Sequence, residues 1–225
     1  MGFRILALVA KPRLAFLTTK PAKWIVGLLL AIPLLLLLID VIIELVNPGT
    51  RLGPSPGDAL VDRLGTWSIR FLYLTLLVSS LARLLKVPVL VQHRRTCGLF
   101  AFSYVVLHFT AYLSAILGFD LNTLLGDFSK RPYIIFGMIA LVLLIPMAIT
   151  STRGWRKRLK LNWKRLHRVI YVIAVLALIH LWLQERSTYT DTVIYGSILV
   201  LLFIERIVHS LRQRRTRKNV IPSPS

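Results

Sequence analysis

Leu166–Gln184 reads LHRVIYVIAVLALIHLWLQ. From Val169 to Leu183 it is apolar or aromatic except for His180. A run of that length exceeds a buried strand and suits a helix crossing about 30 Å of hydrocarbon, which takes about 20 apolar residues. Five further segments have the same character: Trp24–Val46, Trp67–Leu85, Thr96–Phe119, Pro132–Thr150 and Thr188–Ile204. The whole chain agrees, with 56% hydrophobic residues, 17% charged residues and a mean hydropathy of +0.68 over 225 residues. Soluble domains carry about 25% charged residues. Disordered chains are poor in apolar ones. The single Cys97 excludes a disulfide framework, a thiolate zinc site and an iron–sulfur cluster. The expected fold is an all-α integral membrane protein, a bundle of six transmembrane helices.

The chain holds 29 Lys and Arg against 9 Asp and Glu, a net charge of +20. These charges are parcelled between the apolar runs, so they read as an orientation signal and an attraction to anionic lipid, with no nucleic acid as partner. The N-terminus, the second and fourth connections and the C-terminal region together carry 23 of the 29 cations. Eight of the nine acids fall towards the opposite side, Glu205 being the exception. Both termini are therefore expected in the cytoplasm; "inner" denotes this Lys/Arg-rich side below. The first span has a basic lead and a Leu-rich core, like a signal peptide. Its core is longer than an h-region and no A-x-A-like site follows, so it reads as an uncleaved helix. The expected organisation is a basic N-terminus over 1–23, a membrane domain over 24–210 and a basic, disordered tail over 211–225. The letters show no internal repeat, and no P-loop, GxGxxG turn or zincin helix.

Ionisable residues inside spans are costly and mark function by default. His108, in SYVVLHFTAYL, and His180 both lie about 12–14 residues from the inner end of their spans, roughly 18–21 Å at 1.5 Å per residue. Spans three and five run in the same direction, so the two imidazoles can face each other in the outer half. Such a pair can clamp a haem iron, hydrogen-bond between helices or relay protons. Depth alone leaves all three open, although a relay would want carboxylates at mid-membrane, and Asp40 and Glu44 sit at the outer end of span one. His167 lies 13 residues before His180, near the inner interface and about 140° away on an ideal helix. It is either a second site or a snorkelling interfacial histidine. His93 and His209 flank basic clusters and read as solvated. Arg70, about one turn inside span two, either snorkels or offers a cation to a haem propionate or quinone oxygen. Cys97 reads as packing.

Three stretches carry a specific likeness: Ser151–Trp182 (STRGWRKRLKLNWKRLHRVIYVIAVLALIHLW), Arg95–Leu113 (RTCGLFAFSYVVLHFTAYL) and Lys130–Thr152 (KRPYIIFGMIALVLLIPMAITST). From about Leu60 to Arg212 the chain resembles the MsrQ family, the haem-binding membrane subunits of the protein-methionine-sulfoxide reductase system. That family belongs to the ferric-reductase-like transmembrane superfamily. The resemblance implies an inner-membrane b-type cytochrome with one or two haems. Its acceptor would be a periplasmic molybdopterin reductase that repairs oxidised methionines, and its donor the quinone pool or a cytoplasmic flavin reductase. The family is also associated with FMN. By position, His108, His167 and His180 match its haem-linked histidines. The superfamily's second histidine below the one in span three has no direct match here, because the position 14 residues before His108 is Arg94 and His93 is 15 before. Arg94 has the better helical angle for an inner site shared with His167. A guanidinium stays protonated and is a poor iron ligand. His93 has the better chemistry, and Arg94 or Arg95 could instead hold a flavin phosphate.

The expected function is that of an electron-transfer subunit, with methionine-sulfoxide reduction on the partner. Arg153–Lys164 would be an inner landing surface for the donor. Two rivals are a ferric or oxygen reductase of the same superfamily and a haem-free transporter or assembly factor.

Overall fold

The computed structural model describes residues 19–185 and 188–220. All regular structure among them is helical, and six helical stretches are long and apolar enough to cross a membrane. This is a multi-pass membrane protein. The helices are α1 Lys20–Val46, α2 Pro56–Leu84, α3 Arg94–Ala111, α4 Leu121–Lys130, α5 Pro132–Ile149, α6 Arg153–Leu166, α7 Ile170–Gln184 and α8 Thr190–Val220. Short 3₁₀ turns over Pro88–His93 and His167–Val169 precede α3 and α7, and a π-turn over Tyr112–Ile116 extends α3.

Helix starts follow local chemistry. Prolines open α2 and α5, where a missing N–H costs nothing. Thr152 caps α6 through Trp155 N–H at 3.4 Å, and Asp120 caps α4 through Asn122 N–H at 2.9 Å. α2 packs chiefly on α3, and α5 on α7. Leu64, Leu72, Leu76, Tyr104, Ile173 and Ala174 are buried in the one core these helices share. α1 turns Leu28, Leu29, Leu35 and Leu36 outwards, as a lipid-facing helix does, and is held to the bundle in part by Tyr104 O–H donated to Leu30 O at 3.2 Å.

Two expectations change. Span two begins at Pro56, not Trp67, because Asp58, Asp62 and Arg63 lie on a helix that projects beyond the apolar run. The basic stretch Arg153–Lys164 is not a loop; it is the exposed helix α6, kinked at Lys160 (φ 46°, ψ −113°) and tied to the end of α5 by Trp163 Nε1–H to Thr150 O at 3.0 Å. Between spans three and four lies the helix α4. α8 runs on to Val220. Residues 1–18, most of the expected N-terminal segment, lie outside the described residues, as do Arg186 and 221–225.

The outer acids have partners close by. Glu44 accepts backbone N–H groups from Gly49, Arg51 and Leu52 and so folds the loop after α1; the last two bonds are 2.8 Å. Asp40 pairs with Arg63 at 2.6 Å.

Candidate functional site

His108 on α3 and His180 on α7 do face each other. Their ring centres are 6.2 Å apart and their planes cross at 89°. Each ring is held by a helix of its own pair. His108 Nδ1 lies 2.8 Å from the carbonyl of Val61 on α2. His180 Nδ1 lies 2.6 Å from the carbonyl of Tyr133 at the start of α5. A carbonyl only accepts, so in both rings Nδ1 carries the proton and Nε2 keeps its lone pair. Each ring also rests on a glycine one turn further along the same helix, Gly65 for His108 and Gly137 for His180.

Both histidines line one cavity of about 430 Å³, within the usual range for a small-molecule or cofactor site. Its walls are mainly apolar, with Ile69, Leu72, Leu141 and Leu144 among them. Its polar groups include Asp58, Asp62, Asp191, Arg131, Tyr112 and Tyr195. The walls carry an order invisible in the letters. Val61 and Tyr133, Gly65 and Gly137, Ile69 and Leu141, Leu72 and Leu144, Val105 and Ala177, and His108 and His180 are each separated by 72 residues. The two helix pairs thus contribute equivalent positions to one chamber. The sequence reading saw no repeat because only glycine, leucine and histidine recur as identical letters among these pairs.

Arg70 is not at the cavity wall. Its guanidinium lies over Trp67, 4.8 Å from the ring centre, and its Nε–H is donated to Tyr195 Oη at 2.9 Å. Tyr195 lines the cavity, so Arg70 reaches it through that phenol. Arg131, which sequence reasoning passed over, is the cation in the wall. It also approaches Asp127 at 3.6 Å, and Asp127 accepts the Tyr112 hydroxyl.

The inner candidates gather elsewhere. His167 begins the 3₁₀ turn, its ring stacked on Trp163 at 4.0 Å and its Nδ1 3.1 Å from Trp163 O. Three 3₁₀ residues at about 120° each, in place of 100°, cut its angular offset from His180 from about 140° to roughly 80°. Arg94 opens α3 close enough for its charge to act on His167. Arg95 is exposed. His93 is not solvated. It is 5% exposed, because the left-handed Lys86 (φ 55°) and the 3₁₀ turn fold residues 88–93 back on α2. Nearby, Arg83 pairs with Glu205 at 2.5 Å, and Arg206 donates to Leu76 O at 2.9 Å and to the Tyr171 hydroxyl. Cys97 is buried packing, as expected.

The family model for the ferric reductase like transmembrane component matches residues 64–178, which cover most of both helix pairs and stop two residues short of His180. Fold and match together define a membrane component of the ferric-reductase type. A protein-methionine-sulfoxide reductase heme-binding subunit MsrQ from Caulobacter vibrioides is 45% identical over 158 residues, 70% of this chain and 75% of that protein. MsrQ subunits from Xanthomonas campestris pv. campestris and Xanthomonas axonopodis pv. citri are 41% and 40% identical, over 77% and 73% of this chain and 80% and 76% of theirs. The chain belongs to the MsrQ family.

Proposed function

We propose that this chain is a transmembrane b-type cytochrome whose haem iron is held between His108 and His180. The observation that carries this is the 6.2 Å between ring centres. A metal–imidazole bond is about 2.0–2.1 Å and the ring centre lies roughly 1.1 Å beyond the nitrogen, so two axial imidazoles on one ion stand about 6.2–6.4 Å apart. Bound haem supplies one-electron transfer. The chain's residues do the rest. Val61 and Tyr133 carbonyls orient the rings and raise their basicity. Apolar walls exclude water, and Arg131 is the cation placed to meet a propionate. Arg70 acts at most through Tyr195.

Electrons would pass from the cytoplasmic side to a periplasmic molybdopterin methionine-sulfoxide reductase, across the bacterial inner membrane. The Lys/Arg asymmetry supports this direction, and the name of the relatives supports this partner. The donor would be quinol or a flavin reductase meeting the basic face of α6. An electron entering there must cross most of a roughly 30 Å core. His167 and Arg94, with His93 next to Arg94 in the chain, are the residues for an intermediate carrier, a second haem or an FMN.

The test is the absorption spectrum of the purified protein, oxidised and dithionite-reduced, with haem counted per chain. A low-spin Soret band with about one haem or two per chain is expected. No Soret band would leave a haem-free transporter or assembly factor. Haem that reduces ferric ion or oxygen with no periplasmic protein would favour the other superfamily activity.

A further inference from the structure

The six spans are not equally suited to glycine, which weakens a helix interior relative to alanine. Gly27 in α1 has open space around it, and in α3 a Cβ on Gly98 would meet Thr75 Cγ2 at an ordinary 3.6 Å. A Cβ on Gly57, at the start of α2, would meet the Ala115 carbonyl oxygen at 3.2 Å. Two positions instead face a histidine ring. A Cβ on Gly65 would lie 3.0 Å from His108 Cε1 and 3.1 Å from its Nδ1. A Cβ on Gly137 would lie 2.8 Å from His180 Nδ1 and 2.9 Å from its Cε1. In both cases the obstructed atoms are a ring whose Nδ1 is already bonded to the carbonyl four residues before the glycine. The ring cannot retreat without giving up that bond. Each half of the cavity repeats the same device: acceptor carbonyl, glycine four residues on, histidine 43 residues after the glycine.

We propose that Gly65 and Gly137 are positioning residues that fix the rotation of the two axial imidazoles, and with it their crossed planes. This rests on the reading of His108 and His180 as ligands of one iron. The missing Cβ lets each ring lie against its supporting helix, where only one orientation satisfies both the carbonyl and the metal. The 89° between the planes is then a property of the two seats, not of side-chain packing in general. Gly137 is the tighter seat and should be the more sensitive.

The experiment uses the full chain purified in detergent, with Gly65→Ala, Gly137→Ala and, as a control on α3, Gly98→Ala. Low-temperature EPR of the ferric protein is the readout. Crossed imidazoles leave two iron d orbitals nearly degenerate and give one large-g feature; planes turned towards parallel give a rhombic three-line spectrum. Wild type and Gly98→Ala should show the large-g feature. Gly65→Ala should shift part of the population to the rhombic form, and Gly137→Ala most of it, with a changed midpoint potential. An unchanged spectrum and potential in both seat variants at full haem content would overturn the proposal. If a seat variant loses haem, helicity and melting temperature decide: a fold matching Gly98→Ala supports a seat for the ring, and a collapsed fold overturns it. A wild type without low-spin haem would instead overturn the ligand assignment itself.

Discussion

The outer and inner ends of this molecule hold histidines in opposite ways. At the outer end two imidazoles converge from two helices, and each takes its orienting hydrogen bond from a third or fourth helix. The chamber is set by the scaffold before any ligand arrives. At the inner end one imidazole hydrogen-bonds to its own chain four residues back and stacks on Trp163. Its neighbour across the gap is a guanidinium, which donates hydrogen bonds and carries charge but does not ligate iron. Four helices supplying matched contacts make a chamber that is symmetric and rigid. One helix beside a cluster of arginines would make a site whose occupant must bring its own complementarity.

The sharpest way to break this contrast is at the outer pair. His108→Ala or His180→Ala should remove nearly all of the outer haem absorbance, while the protein still inserts. Full haem with an unchanged spectrum in both variants would show that the pair is structural. Next in size is the inner end. His167→Ala should lose the inner haem or flavin and leave the outer spectrum intact, with Arg94→Ala and His93→Ala reporting which of them shares the site. Haem and flavin counted per chain in all three variants provide the check, and no loss in any of them would remove the inner site. A smaller effect is expected from Arg131→Gln. A hydrogen bond to a charged group contributes about 1.5–3 kcal/mol, so haem should be retained roughly ten- to a hundredfold less tightly. Arg70→Gln should change retention much less, and an equal loss in the two would return Arg70 to the cavity wall. Smallest is the response to salt. Reduction from the inner side should slow as ionic strength rises, more than oxidation from the outer side, because the inner surface is the basic one. Equal slopes would argue against donor docking on α6.

Much of this arrangement is legible in the letters because the bilayer enforces a coarse code. Six apolar runs and the depth of His108 and His180 needed only a length and a rise per residue. The helical connections were harder. The stretch 153–164 is as polar as a loop, and only its amphipathic spacing and its Thr152 cap mark a helix. Asp58 and Asp62 hid the start of α2 because charge was read as the end of a span, although a helix can outrun the hydrocarbon. His93 was misplaced because burial came from a reversal at Lys86, a left-handed residue that no pattern announces. The glycine seats were out of reach for a different reason. Gly65 and Gly137 are ordinary letters until the interval to the histidine, 43 residues in both halves, is measured against a structure.

The two Nδ1–H groups have one more consequence. Each ring's proton is tied to a backbone carbonyl and its other nitrogen would be taken by the iron, so neither ring could take up a proton when an electron arrives. On the proposed route the electron crosses the bilayer without a proton from these rings, and its movement is electrogenic. A full crossing of one charge is worth about 2.3 kcal/mol per 100 mV, and an interior-negative membrane drives electrons outward. Periplasmic repair would then draw on the membrane voltage as well as on the donor's potential, and collapsing that voltage in sealed vesicles should slow it.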